Sequence, residues 1–169
     1  GGNLERDLES IKKFLNFNKL YKNYTSNLIK ISSYRKNWIY KSFNNTFLKN
    51  KKIKKVGILG LAYKDGTDSI KNSPSISFIN KIYSNSKLSL NVFDPVIKKI
   101  NKFKKINYCE NENEVINKSD IIIIGTPWKE FKEIKLEKIS KKKIFIDPYN
   151  ILNFSINKNR NLKYISMGS

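Results

Sequence analysis

The chemistry this chain can do is concentrated in a few short stretches that each end an apolar run. The first, Gly57 to Ser75, reads GILGLAYKDGTDSIKNSPS. It places Lys64 just where a strand should stop, followed by Gly, Asp and Thr and then by Ser73-Pro74, a helix-start pair. A lysine there is a flexible point charge suited to a phosphate or a sugar hydroxyl, or it is one of many solvated lysines. Gly57, Gly60 and Ala62 make an imperfect version of the G-x-G-x-x-G phosphate fingerprint, with the wrong spacing. Asp94, in Phe93-Asp94-Pro95, is placed to accept hydrogen bonds from ribose hydroxyls or simply to stop a strand and start a turn. Trp128, in Thr126-Pro127-Trp128, is placed to stack on a base or to cover core. Cys109 lies in a polar stretch, and the chain has no histidine, which removes the usual zinc sites and Ser-His or Cys-His pairs. A single cysteine also excludes an internal disulfide.

The elements that must position these residues follow from hydropathy. Leu4, Leu8, Ile11, Leu15 and Leu20 recur at near-helical spacing, and a second helical pattern runs from about Leu28 through Ile39 and Phe43 to Leu48. The lysine segment at 49–52 then ends the helical region, so the expected division is 1–49, helical, and 50–169, α/β. Beyond it, Val56-Gly57-Ile58-Leu59, Leu90 to Phe93, Ile121 to Ile124, Ile144 to Ile146 and Leu162 to Ile165 alternate with helical stretches at Ser73–Tyr83, Glu112–Asn117 and around Leu136–Ile139. Continuous Ile and Val runs without polar alternation are strands covered on both faces. The expected fold class is therefore α/β: a doubly wound, mostly parallel, Rossmann-like sheet preceded by an α-helical segment. In such sheets ligands bind beyond the carboxyl ends of the strands, which selects the loops at Ala62–Asn72, Asp94-Pro95, Gly125–Trp128 and Asp147–Asn150.

At 169 residues the chain is long enough for one ordinary domain and a smaller appendage. Its formal net charge of +20 would ordinarily suggest nucleic acid. Only Arg6, Arg35 and Arg160 of the 34 basic residues are arginine, however, and the lysines run with an excess of Asn and Ile along the whole chain. These three residue types share AT-rich codons, so the charge reads as solvated surface and no nucleic-acid partner is expected. No apolar run approaches the roughly 20 residues of a membrane helix and no signal-peptide pattern opens the chain, so the expected setting is the cytoplasm with no membrane partner. The first residue is Gly1 rather than Met, as expected of a chain cut from a longer polypeptide.

Taken in order, these stretches resemble the C-terminal half of the UDP-glucose/GDP-mannose dehydrogenase family. The family loop G-L-A-F-K-x-x-T-D-D-x-R-E-S-P is similar to Gly60-Leu61-Ala62-Tyr63-Lys64, Thr67-Asp68 and Lys71-Asn72-Ser73-Pro74. Its Y-D-P is similar to Phe93-Asp94-Pro95, its T-x-W-x-E-F to Thr126 to Phe131, and its closing Y-x-x-I-G to Tyr164 to Gly168. The resemblance implies a dimer-forming helical segment followed by a UDP-binding domain, both belonging to an enzyme that oxidises a nucleotide sugar to its uronic acid with NAD. The NAD would be bound mainly by an N-terminal domain that this chain lacks, and this chain alone is expected to be inactive. It further implies a UDP-sugar ligand, a homodimer, substrate contacts from Tyr63, Lys64 and Tyr149, the last standing where the family has the Arg of D-G-R, and a cofactor contact from Lys71, at a loop arginine position. In the family a cysteine in a G-[SPG]-C-[FL]-x-[KR]-D motif carries a thiohemiacetal and thioester. The corresponding run here is Gly1 to Asp7, in which Asn3 takes the thiol's place and Asp7 keeps the carboxylate that positions water. An amide is not a nucleophile at neutral pH, which leaves two readings: a dehydrogenase part, or a non-catalytic nucleotide-sugar-binding and dimerisation module.

Overall fold

The computed structural model describes residues 2–14, 19–152 and 159–168. The chain divides into two compact units, Gly1–Trp38 and Ile39–Ser169. The sequence pattern puts this division near residue 50, where the lysine segment ends the helix. Phe43 instead belongs to the second unit because its ring meets Phe78 edge-on at 5.2 Å, and Ile39 and Phe43 are both buried.

The helical region consists of α1 (Gly2–Phe14) and α2 (Lys19–Lys49). The second helix begins well before Leu28, where its apolar pattern becomes regular. Lys19 to Asn27 contains no proline or glycine to break the helix, which continues through it although most of its residues are weak helix formers.

The α/β region contains β1 (Lys55–Leu59), α3 (Pro74–Ile82), β2 (Ser89–Phe93), β3 (Ile106–Tyr108), α4 (Glu112–Lys118), β4 (Ile121–Ile124), β5 (Lys143–Asp147) and β6 (Leu162–Ser166). Two 3-10 turns, Lys129–Glu133 and Leu136–Lys138, lie between β4 and β5. All strand pairs are parallel, in the order β3-β2-β1-β4-β5-β6. The sheet order thus reverses between β1 and β4. The β1-α3-β2 and β3-α4-β4 crossovers run in opposite directions along the sheet, so right-handed connections place α3 on one face and α4 on the other.

Both faces are therefore dry. Val56, Ile58, Ile121 and Ile123 point one way and Leu59, Ile122, Ile124 and Phe145 the other, and every one is fully buried. This double burial is what the uninterrupted Ile121–Ile124 run encodes. The short edge strand β3 has no such signature, since Ile106 is its only buried residue. It is held by register with β2 and by an Asn107 amide that donates to Asn91 Oδ1 at 3.1 Å.

Caps fix where the helices begin. Ser73 Oγ accepts from Ile76 N at 3.3 Å with Pro74 in the first turn of α3, and Asn111 Oδ1 accepts from Glu114 N at 2.9 Å at the start of α4. The far end of α4 is stapled from two strands. Asn91 donates to Lys118 O and to Ser119 Oγ, both at 3.1 Å, while the buried Lys143 ammonium donates to Asn117 O at 3.3 Å and to Ser119 O. A cation there complements the helix dipole, although burial pushes the Lys143 pKa down, opposed by Asp120.

Gly57 lies under this staple. A Cβ there would stand 2.7 Å from Ser119 Oγ and 2.8 Å from Val115 Cγ1. Gly57→Ala is expected to lower stability by about 1–3 kcal/mol through overpacking, read as a fall in the urea midpoint with an unchanged m-value.

Candidate functional site

Four loops leave the carboxyl edge of the sheet around the β1/β4 reversal, and one side chain organises two of them. Asp94, directly after β2, is 2% exposed. Its Oδ2 accepts from Leu61 N at 2.6 Å, Ala62 N at 3.0 Å and Trp128 Nε1 at 3.1 Å, and its Oδ1 accepts from Val96 N and Ile97 N, both at 2.9 Å. The carboxylate therefore faces inward, spent on the protein's own donors, and the ribose reading of Asp94 gives way to a positioning one. Trp128, with its indole N–H held by Asp94, covers core, packing with Phe131 and Leu136.

The innermost crevice between the β1 and β4 loops is filled. Gly60 has φ +92°, and a Cβ on it would come within 2.5 Å of Thr126; a Cβ on Gly125 would overlap Ser75 Oγ at 1.7 Å. Ser75 Oγ donates to Gly60 O and Thr126 Oγ1 donates to Ala62 O, each at 2.6 Å, and Gly125 N donates to Leu59 O at 2.7 Å. A dinucleotide's phosphates need that crevice open, with backbone N–H groups free at the helix start. The residues present do not fit NAD at the reversal point. The open surface of this edge lies further out, at the loop tips.

Those tips carry the residues singled out from the sequence. Tyr63 is half-buried, its N–H donating to Ser69 O at 2.7 Å, and Lys64 and Lys71 are exposed on the same loop. The loop turns at Gly66 and Asn72, which have φ +68° and +62°, and Thr67 Oγ1 accepts from Ser69 N at 3.2 Å. Tyr149 reaches toward the centre of the edge from β5, its hydroxyl donating to Gly125 O at 3.0 Å. Tyr63, Lys64, Lys71 and Tyr149 thus share the carboxyl edge of one sheet. Asp7 belongs to the other unit, where it is exposed and meets Arg6 at 3.5 Å. Asn3 falls in the backbone of α1, and its side chain lies outside the described residues.

Sequence reasoning assigned no role to the anchor beneath Tyr149. Asp147 is fully buried; its Oδ1 accepts from Tyr149 N at 2.9 Å, and its Oδ2 from Leu152 N at 3.1 Å and the Tyr164 hydroxyl at 2.8 Å. The Tyr164 hydroxyl also lies 3.0 Å from the Asn150 side-chain amide, and burial together with Asp147 pushes its phenol pKa upward. The available signal was an acid following a strand at the same place as Asp94, with a tyrosine on the neighbouring strand. Cys109 is half-buried behind β3, and burial, then Glu114, raises its thiol pKa, so it offers no ready thiolate.

Sheet order and loop placement define a Rossmann-type α/β domain whose carboxyl-edge loops are pinned by two buried aspartates. Residues 57–154 match the profile of the UDP-glucose/GDP-mannose dehydrogenase family, UDP binding domain, and the chain belongs to that family. It is 37% identical over 123 residues to a UDP-glucose 6-dehydrogenase of Rickettsia conorii, covering 69% of this chain and 28% of the relative. It is 35% identical over 100 residues to a UDP-N-acetyl-D-mannosamine dehydrogenase of Pyrococcus horikoshii, covering 57% of this chain and 22% of the relative. The chain spans roughly a quarter of the length of these curated relatives. Among solved structures, a UDP-glucose dehydrogenase from Pyrobaculum islandicum shares the fold with a TM-score of 0.76 at 18% identity, covering 97% of this chain and 36% of that one. A UDP-D-ManNAc dehydrogenase from Pyrococcus horikoshii gives 0.65 at 25% identity, covering 83% and 32%.

Asp94→Asn turns an acceptor toward solvent-free donors into an NH2 group. It is expected to cost about 3 kcal/mol or more in chemical denaturation, with a red shift of Trp128 emission as its N–H partner is lost. An unchanged midpoint would show that the five donors find other acceptors.

Proposed function

We propose that the α/β unit binds the nucleotide part of a UDP-sugar over the carboxyl edge of its sheet, with Lys64 contacting the ligand and Tyr63 and Tyr149 flanking it. The observation that carries this is the loop after β1. It is locked at Leu61 and Ala62 by Asp94 and then releases Lys64, exposed, at the edge where such sheets take ligands. The family match over this segment supports the ligand class.

In this reading the chain is part of an NAD-dependent oxidoreductase that oxidises a UDP-sugar to its uronic acid. The filled crevice supports a reading in which the nicotinamide cofactor is held mainly elsewhere in the enzyme, with Lys71 at its margin. Asn3 favours the second reading, a nucleotide-sugar-binding and dimerisation module without turnover, because an amide cannot carry an acyl intermediate and Cys109 has no lowered pKa to replace the thiol. The helical unit supplies a homodimer contact in both readings. Ile11, Phe14, Tyr24, Ile31 and Tyr34 are exposed on its helices, more apolar surface than a solvated segment needs.

Titration calorimetry of this chain with UDP and UDP-glucose tests the pocket. Saturable binding is expected, weakened roughly 10- to 100-fold in Lys64→Ala, the loss of one charge-assisted hydrogen bond. Equal affinity in Lys64→Ala would remove the lysine from the site. Light scattering across a dilution series tests the dimer: Ile31→Glu is expected to halve the mass, and a monomer at every concentration would end the proposal.

A further inference from the structure

The opposite edge of the same sheet carries a cavity. It has a volume of about 370 Å³, within the range of small-ligand pockets, and lies at the amino ends of β1, β4, β5 and β6. Strands of five residues separate it from the Lys64 edge by about 15 Å. Lys52, Lys142, Lys163 and Arg160 line it, and no ion pair holds any of the four among the described residues.

Two acid or base groups there are already engaged. Asp120, the one carboxylate of the lining among the described residues, accepts from Lys54 N and Lys55 N at 2.9 Å each. Lys143, on the cavity wall, spends its ammonium on the α4 carbonyls. The excess positive charge is therefore left to the other four.

Arg160 distinguishes this cavity from ordinary lysine surface. It is the only arginine between residues 39 and 169, in a chain that otherwise uses lysine, and a guanidinium fork is the group that grips a phosphate at two oxygens. Its turn is also pinned in advance. Asn159 Oδ1 accepts from Asn161 N at 2.9 Å, Asn159 O accepts from Leu162 N at 3.1 Å, and the Asn159 amide donates to Leu136 O and Ile139 O, both at 2.8 Å. The backbone carrying Arg160 is thus ordered before any ligand arrives, which lowers the entropic cost of binding. The larger neighbouring cavity, of about 640 Å³, lacks this character because Glu112 and Glu133 face its lysines.

We propose that this amino-edge cavity is a binding site for a small phosphorylated ligand, with Arg160 as the phosphate fork and Lys142 and Lys163 completing the charge. The site is independent of the UDP-sugar reading and uses none of its residues.

Inorganic pyrophosphate titrated into this chain at about 0.15 M salt is the probe, because surface charge alone is well screened there. The variants are Arg160→Gln with Lys163→Gln, Lys99→Gln with Lys104→Gln as an equal loss of charge beside β3, and Lys64→Ala. All replace exposed side chains, and thermal melts verify folding. Saturable binding weakened about tenfold or more only in the Arg160/Lys163 pair supports the site. Equal weakening in the Lys99/Lys104 pair shows diffuse attraction, loss in Lys64→Ala places pyrophosphate at the carboxyl edge, and binding of a long single-stranded oligonucleotide without pyrophosphate shows a polyanion surface. Each of these outcomes, like no binding at all, overturns the proposal.

Discussion

The Asp94 carboxylate accepts five hydrogen bonds in a space closed to solvent, and the carboxyl edge of the sheet is arranged around it. A parallel strand that ends inside a domain leaves its last amides without partners, and buried amides must find acceptors. One carboxylate does this for the turn after β1 and the turn after β2 together, and its third contact on Oδ2 fixes the indole that seals the β4 loop. A charge buried in this way is tolerable because every direction around it is occupied by a donor. Asp147 repeats the device after β5 with Tyr149, Leu152 and Tyr164 as donors.

The carboxyl edge accordingly divides its labour between an inner and an outer rank. Groups that a Rossmann-type edge often turns toward ligand are here turned inward, and the crevice at the reversal of strand order is taken by Ser75 and Thr126. In the proposed reading recognition falls to the outer rank, Tyr63, Lys64, Lys71 and Tyr149, carried on loops whose bases are pinned by buried carboxylates. Rigid bases with exposed tips suit the binding of an extended, charged molecule laid across the edge. They do not suit a phosphate sunk between the strands.

The amino edge has the complementary character. Its backbone is equally ordered, by Asp120 under β1 and by Asn159 and Lys143 around the start of β5, but its cations have no internal ion-pair partners among the described residues. In a lysine-rich chain the physical question is which positive charges are fixed in place and shared by one concavity. Arg160 stands at such a concavity on a turn whose backbone is pinned by its neighbour.

The fold class is legible in the residues alone. The isoleucine and valine runs at β1, β4 and β5 fit strands buried on both faces, and Ser73-Pro74 marks a helix start with residues suited to orphan amides. The edge that carries the proposed site is legible too, since Lys64, Trp128 and Tyr149 all follow such runs closely. Strand β3 is not, because one buried isoleucine leaves no pattern and pairing to β2 does the rest. Nor does the sequence decide whether Asp94 serves ligand or protein, because both uses ask for a carboxylate before a proline. The packed sheet decides it, by bringing amides from residues 61, 62, 96 and 97 and an indole from residue 128 to the same two oxygens. Convergence of donors from distant positions depends on strand order, and strand order belongs to the assembled sheet rather than to any stretch of chain.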